Sequence, residues 1–194
     1  FRSSFTAAYN ATRFDAEAFF VLHDTIHLFS KDWVLKHTRH YRIPAQPGQQ
    51  VALLYDSLDA GGLITGAARD ANGVIALLGY DNQVPAPCFL WMLNDYPETD
   101  FFGGNKRKFS IGSAITFGQT EGVTFRSGAY GYISNERFIQ SIINVPPRLY
   151  RFDLSMYLNS SMTGWNDINR ASWNVYPQPA ASYAVVETPY DHTW

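Results

Sequence analysis

Residues 65–93 read TGAARDANGVIALLGYDNQVPAPCFLWML and contain the clearest strand pattern in the chain. A turn at 70–73 separates a short first run from the apolar run 74–80, and a polar loop leads to a third run, 89–93. The Asn-Gly dipeptide in the turn supplies the positive φ values that a tight hairpin requires. Runs of this length between turn residues are typical of strands. The stretch therefore predicts three antiparallel strands.

The same order of strand, turn, strand, loop and strand occurs twice more, over 17–43 and 121–154. A fourth strand fits 51–55 in the first unit and, after the Gly-Gly turn, 106–111 in the second. Such self-similarity is the sequence signature of a repeat architecture.

Glu17, Thr65 and Glu121 occupy the equivalent place in the three units, at spacings of 48 and 56 positions. These spacings suit a β-propeller blade of roughly 40 to 50 residues with insertions. About four to eight blades close a ring, so we predict an all-β fold in which about three four-stranded blades form part of a larger ring. The chain is then expected to be cut from a longer protein. The alternative is a three-repeat sandwich or prism that closes by itself.

Composition excludes several classes of function. Hydrophobic residues make up 46% of the chain and charged residues 16%, which predicts a folded core. The net charge is -2 and no long run of like charges occurs, so nucleic acid is not an expected partner. No apolar run is long enough for a transmembrane segment. Cys88 is the single cysteine, and its apolar neighbours predict a buried core position.

Several motifs resemble an uncharacterised β-propeller family of secreted Bacteroidota proteins. They are DAEAFF at 15–20, LFSKDW at 28–33, GLITGA at 62–67, FFGGNKRK at 101–108, and GQTEGV at 118–123 with GYISNE at 131–136. The resemblance covers about residues 14–154 and implies that residues 1–154 form the propeller blades.

The C-terminal part differs in composition. Residues 155–174 are predicted to be a linker, and 175–194 begin with VYPQPA. That run is similar to the start of the type IX secretion (Por) sorting domain, a β-sandwich, although Gln178 stands where the family has Asn. The resemblance implies a truncated sorting domain, the type IX secretion machinery as a partner, and a secreted protein on the outer-membrane surface.

A metal site is one interpretation of the repeated carboxylates. If the strands of Glu17 and Glu121 line a central channel, their oxygens, with those of Asn135 and Glu136, could hold Ca²⁺. Asp15 and Asp32 are nearby candidates. This resembles the lactonase and gluconolactonase propellers, in which a channel calcium polarises an ester carbonyl. The alternative is that the two glutamates satisfy backbone N–H groups between blades.

A ligand-binding surface is the other interpretation. Asp15 precedes the first unit and Trp33 lies beside a loop within it, and an exposed indole can stack on a sugar or on a partner protein. Ser30 and Ser134 each lie thirteen positions after a repeated glutamate. The leading hypothesis is a surface propeller that acts as a binding or interaction module for a protein or glycan ligand. The alternative is a calcium-dependent esterase or lactonase-like hydrolase, so enzymatic activity stays open.

Overall fold

A computed structural model of the chain describes residues 10–158 in full and the backbone of two later strands, Asn174–Pro177 and Ala184–Glu187. The described part is all-β and consists mainly of antiparallel sheets, which confirms the predicted fold class at that level. Two single-turn helices, α1 (Ala114–Phe117) and α2 (Ser155–Leu158), accompany the strands. No helix in the described segments has the length and apolarity that a membrane crossing requires.

Two sheets each contain four strands hydrogen-bonded in chain order. Sheet 1 consists of β1 (Asp15–Leu22), β2 (Thr25–Lys31), β3 (His37–Pro44) and β4 (Leu53–Asp59). Sheet 2 consists of β5 (Leu63–Arg69), β6 (Ile75–Tyr80), β7 (Pro87–Asn94) and β8 (Asn105–Ser113). Both predicted fourth strands form, although β4 begins two residues later than the sequence pattern indicates.

Sheet 3 contains the three strands predicted for the third unit and two more from the C-terminal part. Its strands are β9 (Gln119–Ser127), β10 (Tyr130–Glu136), β13 (Leu149–Asp153), β14 (Asn174–Pro177) and β15 (Ala184–Glu187), in the order β14-β15-β13-β10-β9. A small hairpin of β11 (Phe138–Gln140) and β12 (Ile143–Val145) lies in the connection from β10 to β13. Strand β15 pairs with β13 in parallel.

Much of the predicted C-terminal organisation falls on residues that the structure does not describe. Residues 159–173 belong to the predicted linker, and 178–183 and 188–194 to the predicted sorting domain. The boundaries of the three predicted domains therefore stay predictions.

The turn between β5 and β6 shows why the local sequence folds as it does. One carboxylate oxygen of Asp70 accepts hydrogen bonds from the backbone N–H groups of Asn72 at 2.9 Å and Val74 at 2.7 Å. Gly73 has a φ of 94°, a conformation that glycine adopts at little cost. The side chain of Asp70 and the freedom of Gly73 together close the hairpin that the Asn-Gly pattern predicts.

Sheet 2 is the middle layer of the fold, and all six residues of β6 are buried. Leu77 belongs to an apolar cluster with Phe29 and Ala18 of sheet 1. Leu78 belongs to a second cluster, with Ile133 and Tyr150 of sheet 3. Because successive side chains of a strand point to opposite faces, sheet 2 packs against sheet 1 on one face and against sheet 3 on the other.

The first strands of the three sheets lie side by side: β1 contacts β5, and β5 contacts β9. A glycine permits the second approach, since a Cβ atom on Gly66 would lie 3.0 Å from the carbonyl oxygen of Glu121. The equivalent ends of the three sheets are therefore close enough to form one site.

Cys88 is fully buried, as its apolar neighbours predict, and it lies between sheets 2 and 3. Burial raises the pKa of its thiol to about 11. Since the thiolate is the reactive form, we expect native protein at pH 8 to be inert to Ellman's reagent and one thiol per chain to react in urea. Stoichiometric reaction within minutes in the folded protein would contradict this burial.

Candidate functional site

A cleft of about 600 Å³ lies where equivalent ends of the three sheets meet. It is formed by the first residues of β1 and β9, by β5, and by the last residues of β2, β6 and β10. Its lining residues are Asn10, Asp15, Glu17, Lys31, Trp33, Thr65, Tyr80, Gln119, Glu121 and Glu136. This volume is within the range of roughly 300 to 1,000 Å³ that is usual for small-molecule sites.

The three repeated positions, Glu17, Thr65 and Glu121, all line this cleft. Each is the residue left out of the strand pairing at a register shift near the start of its strand. Such β-bulges turn one side chain out of the regular alternation and are frequent beside functional sites. The same backbone irregularity thus occurs in all three sheets and brings the three side chains to one place.

Lys31 is the buried cation of the cleft, with 4% of its surface exposed. Its Nζ donates a hydrogen bond of 2.7 Å to Glu17 Oε2 and lies 5.0 Å from the ring centre of Trp33 and 5.7 Å from that of Tyr80. Burial lowers the pKa of Lys31, but the hydrogen bond to Glu17 and the nearby acidic groups outweigh burial, and the pKa is raised. The cleft therefore holds a fixed positive charge at neutral pH.

Among the carboxyl groups of residues 10–158, Glu121 has the most altered pKa. Burial raises its pKa to about 7, Lys31 opposes the increase, and repulsion from Glu17, Glu136 and Asp15 adds to it. At neutral pH this group is therefore divided between its protonated and ionised forms, and it can either donate or accept a hydrogen bond.

Asp15 and Trp33 form a hydrogen-bonded pair on the sheet 1 side of the cleft. The indole Nε1 of Trp33 donates a hydrogen bond of 2.9 Å to Asp15 Oδ2, which fixes the ring. On the other side of the cleft, Gln119 Nε2 donates to the hydroxyl of Tyr80 at 3.1 Å. The structure thus brings together five of the nine candidate residues named from the sequence: Asp15, Glu17, Trp33, Glu121 and Glu136.

Ser30, Ser134 and Asn135 do not line the cleft. Ser30 is buried, and its Oγ accepts a hydrogen bond of 2.9 Å from the backbone N–H of Arg39. Ser134 packs against Gly122, where an added Cβ would lie 2.5 Å from the serine hydroxyl. Ser30 therefore links β2 to β3, and the hydroxyl of Ser134 fills the space beside Gly122.

Asn135 has a structural role in the connection that follows β10. Its amide nitrogen donates to the carbonyl oxygens of Glu136 at 2.8 Å and Pro146 at 3.1 Å. Its oxygen accepts a hydrogen bond of 2.6 Å from the backbone N–H of Arg148. Both N–H donors and the oxygen of the amide are therefore engaged with backbone groups.

The predicted calcium ligands fit a metal ion poorly in this arrangement. Between residues 10 and 158, no three His, Cys, Asp or Glu side chains are grouped as metal ligands would be. Glu17 is bound to the ammonium of Lys31, Asn135 is engaged as described, and the buried Asp32 accepts hydrogen bonds from two arginines. Calcium binding stays a prediction, and it would require some of these contacts to break.

Lys31 and Gln119 are cleft residues that the sequence interpretation missed. The short turn between β1 and β2 places Lys31 directly opposite Asp15 in the strand pairing. The register of this hairpin therefore indicates that Lys31 lies beside Asp15. Gln119 lies two residues before Glu121, a spacing that puts two side chains on the same side of a regular strand. The β-bulge at Glu121 cannot be inferred from spacing, so the sequence does not show that Gln119 lines the cleft.

No protein-family model, curated protein or solved structure matches the chain. The cleft is therefore the feature of this molecule from which a function is inferred.

Proposed function

We propose that sheets 1, 2 and 3 are consecutive blades of a β-propeller and that the protein is a binding module with its ligand site in the cleft. The meander order of the strands, the face-to-face stacking and the adjacency of β1, β5 and β9 support this proposal. In propellers, blades of four strands surround a central channel. The cleft then corresponds to one end of that channel.

One observation carries the binding role: the same β-bulge directs Glu17, Thr65 and Glu121 into one cleft. A purely structural array of blades needs no such repeated departure from strand pairing. Polar lining residues in a concave site of this size are what a small ligand or a protruding group of a larger one requires.

Export and surface display belong to the same proposal. The Tyr176-Pro177-Gln178-Pro179-Ala180 run supports recognition by the type IX secretion machinery. A fusion of residues 155–194 to a reporter protein, expressed in a bacterium that has this machinery, is expected to reach the cell surface, and a reporter that stays inside the cell would count against this part of the proposal.

The binding role can be tested by a ligand-observed NMR screen of neutral, cationic and anionic small molecules in buffer that contains EDTA. We expect at least one compound to bind the native chain. Glu136→Lys should abolish the signal, because it places a second long cation in the cleft, whereas Asp24→Lys, in the exposed turn after β1, should not. Binding that survives Glu136→Lys, or an entirely silent screen, would refute a cleft-based binding module.

A calcium-dependent hydrolase is the second and weaker candidate: Glu17, Glu121 and Glu136 line one cleft, but within residues 10–158 they are not grouped as metal ligands, and Glu17 is bound to Lys31. A channel calcium would act as a Lewis acid on an ester carbonyl. Calcium titration by calorimetry distinguishes the candidates. Micromolar binding that disappears in Glu121→Gln would support the hydrolase, and the absence of heat from folded protein would leave the binding module.

A further inference from the structure

Lys31 has hydrogen-bonding capacity that the protein does not use. An ammonium group has three N–H donors, and Glu17 is its single hydrogen-bond partner within residues 10–158. The side chain is 95% buried, with 5% exposed, and it lines the cleft. Buried donors normally find acceptors, so a ligand oxygen atom beside Lys31 would accept the hydrogen bonds that its ammonium group can still donate.

The opposite wall offers unused acceptors. Neither Glu121 nor Glu136 receives a hydrogen bond from any described residue, although both line the cleft. The ionised forms of both carboxyl groups accept hydrogen bonds, and the protonated form of Glu121 can in addition donate one. The site therefore presents donors on one side and acceptors on the other.

The presence of a buried cation and several carboxyl groups in one cleft restricts the class of ligand that can bind. A compact cation would meet the fixed charge of Lys31, and an anion would meet the carboxylates of Asp15, Glu17 and Glu136. An apolar ligand would leave most of these polar groups desolvated without partners, which is costly. Hydroxyl groups both donate and accept, so a neutral molecule with many hydroxyls can satisfy both walls.

Trp33 adds an apolar surface to the same cleft. Its ring is partly exposed, and its hydrogen bond to Asp15 fixes the orientation. A rigid indole can cover the C–H face of a sugar ring while neighbouring polar groups bind the hydroxyls.

We propose that the cleft binds a neutral saccharide, held by Lys31 as donor, by Glu121 and Glu136 as acceptors, and by the ring of Trp33. This inference rests on the proposed binding function and specifies the ligand class. The volume of about 600 Å³ suits one or two sugar rings.

The test is saturation-transfer NMR of the native chain with a panel of neutral mono- and disaccharides: glucose, galactose, mannose, N-acetylglucosamine, cellobiose and maltose. At least one sugar should give a saturable signal. Lys31→Met removes the donors but keeps the chain length, and it should weaken binding about tenfold or more, the loss of a hydrogen bond to a charged group.

Lys36→Met is the matched control. Lys36 donates a hydrogen bond of 2.6 Å to Asp81, so it is also a lysine in a carboxylate pair, but it does not line the cleft. Its substitution should leave sugar affinity within twofold. Circular dichroism of both variants shows whether the sheets are intact, and Trp33→Phe provides a second variant if Lys31→Met does not fold.

Glu121→Gln distinguishes a sugar from a cation. At pH 8.0, where Glu121 is mostly ionised, glutamine removes its negative charge but retains an oxygen acceptor, so sugar affinity should fall less than about fivefold, whereas affinity for a cationic probe such as N-acetyl-lysine amide should fall about tenfold or more. If folded protein binds none of the sugars but binds another probe at the cleft, the saccharide proposal fails and the binding function stands. If neither kind of probe binds, both proposals fail.

Discussion

Lowering the pH from 7.5 to 5.0 is expected to remove about 4 kcal/mol from the contribution of His27 and His40 to the free energy of unfolding. The two imidazoles are buried between sheets 1 and 2, and His27 Nδ1 lies 2.8 Å from His40 Nε2. Phe29 and Phe101 pack against His40. This environment favours a neutral, hydrogen-bonded pair.

Each histidine is held neutral for an identifiable reason. Burial, followed by the positive charges of Arg42 and Arg69 and by His23, lowers the pKa of His27 from 6.5 to about 4. Burial, followed by His27 and Arg42, lowers the pKa of His40 to about 3. The second nitrogen of His40, Nδ1, is buried without a hydrogen-bond partner in the described part, so a proton added there has no acceptor.

The sign of the effect follows from these values. Below pH 6.5 the unfolded chain binds protons on both histidines while the folded chain does not, so stability falls as the pH falls. Each imidazole contributes a slope of up to about 1.4 kcal/mol per pH unit until its folded pKa is reached. The contribution is therefore fully present above pH 6.5 and is lost progressively between pH 6.5 and about 3.

Protonation of Glu121 changes the free energy of unfolding in the opposite direction, so its effect must be separated from that of the two histidines. Its folded pKa of about 7 lies above the ordinary value of 4.5, so its protonation favours the folded state as the pH falls through this range. The measurement is therefore the difference between the native chain and the His27→Phe/His40→Phe double variant, which keeps Glu121. Urea unfolding at pH 7.5 and 5.0 gives both free energies.

The double variant removes both polar partners and retains ring-sized side chains, so it should fold. Its stability relative to the native chain should improve by about 4 kcal/mol on going from pH 7.5 to 5.0. The half-exposed His37, which lies outside the buried pair, provides the control, because His37→Gln should change the pH dependence far less than the double variant does. Parallel pH profiles of the double variant and the native chain would show that the buried pair does not control acid stability.

The sequence predicted the sheets well because their signals are local. Strand β6 is a short apolar run between a turn and a loop, and the turn at Asp70 to Gly73 is specified by side chains within four residues. The equivalence of Glu17, Thr65 and Glu121 also followed from spacing, since a repeated hairpin sets repeated positions.

Contacts between distant residues could not be predicted in this way. The hydrogen bonds of Asn135 to Pro146 and Arg148 depend on how the connection after β10 folds back, so a potential metal ligand became a structural residue. The buried position of Lys31 depends on sheets 2 and 3 closing over sheet 1. The sequence places a lysine there but gives no sign that its ammonium is hydrogen-bonded to Glu17 and lies near Glu121.

The stacking of the sheets can be tested through two adjacent leucines of β6. Leu77 and Leu78 are both fully buried, but they belong to different apolar clusters, one shared with sheet 1 and the other with sheet 3. Truncation of a buried leucine to alanine costs about 2 to 5 kcal/mol through lost burial and the remaining cavity. We expect Leu77→Ala and Leu78→Ala each to lower the free energy of unfolding by about 3 kcal/mol.

Leu54→Ala is the control, since Leu54 in β4 is 59% exposed. Its effect should stay within about 0.5 kcal/mol. Urea denaturation at constant pH measures all three variants. A loss below 1 kcal/mol for either buried leucine would mean that the corresponding face of sheet 2 is not covered.

The double variant Leu77→Ala/Leu78→Ala distinguishes two apolar clusters on opposite faces of sheet 2 from one continuous core. Neighbouring residues that share packing partners usually show interaction energies of about 0.5 to 3 kcal/mol, whereas independent sites add within about 0.5 kcal/mol. Since the two side chains project from opposite faces of sheet 2 into separate clusters, we expect their effects to add despite their adjacency in the chain. Strong non-additivity would indicate one continuous core, as in a closed sandwich, and would count against sheets stacked as consecutive propeller blades.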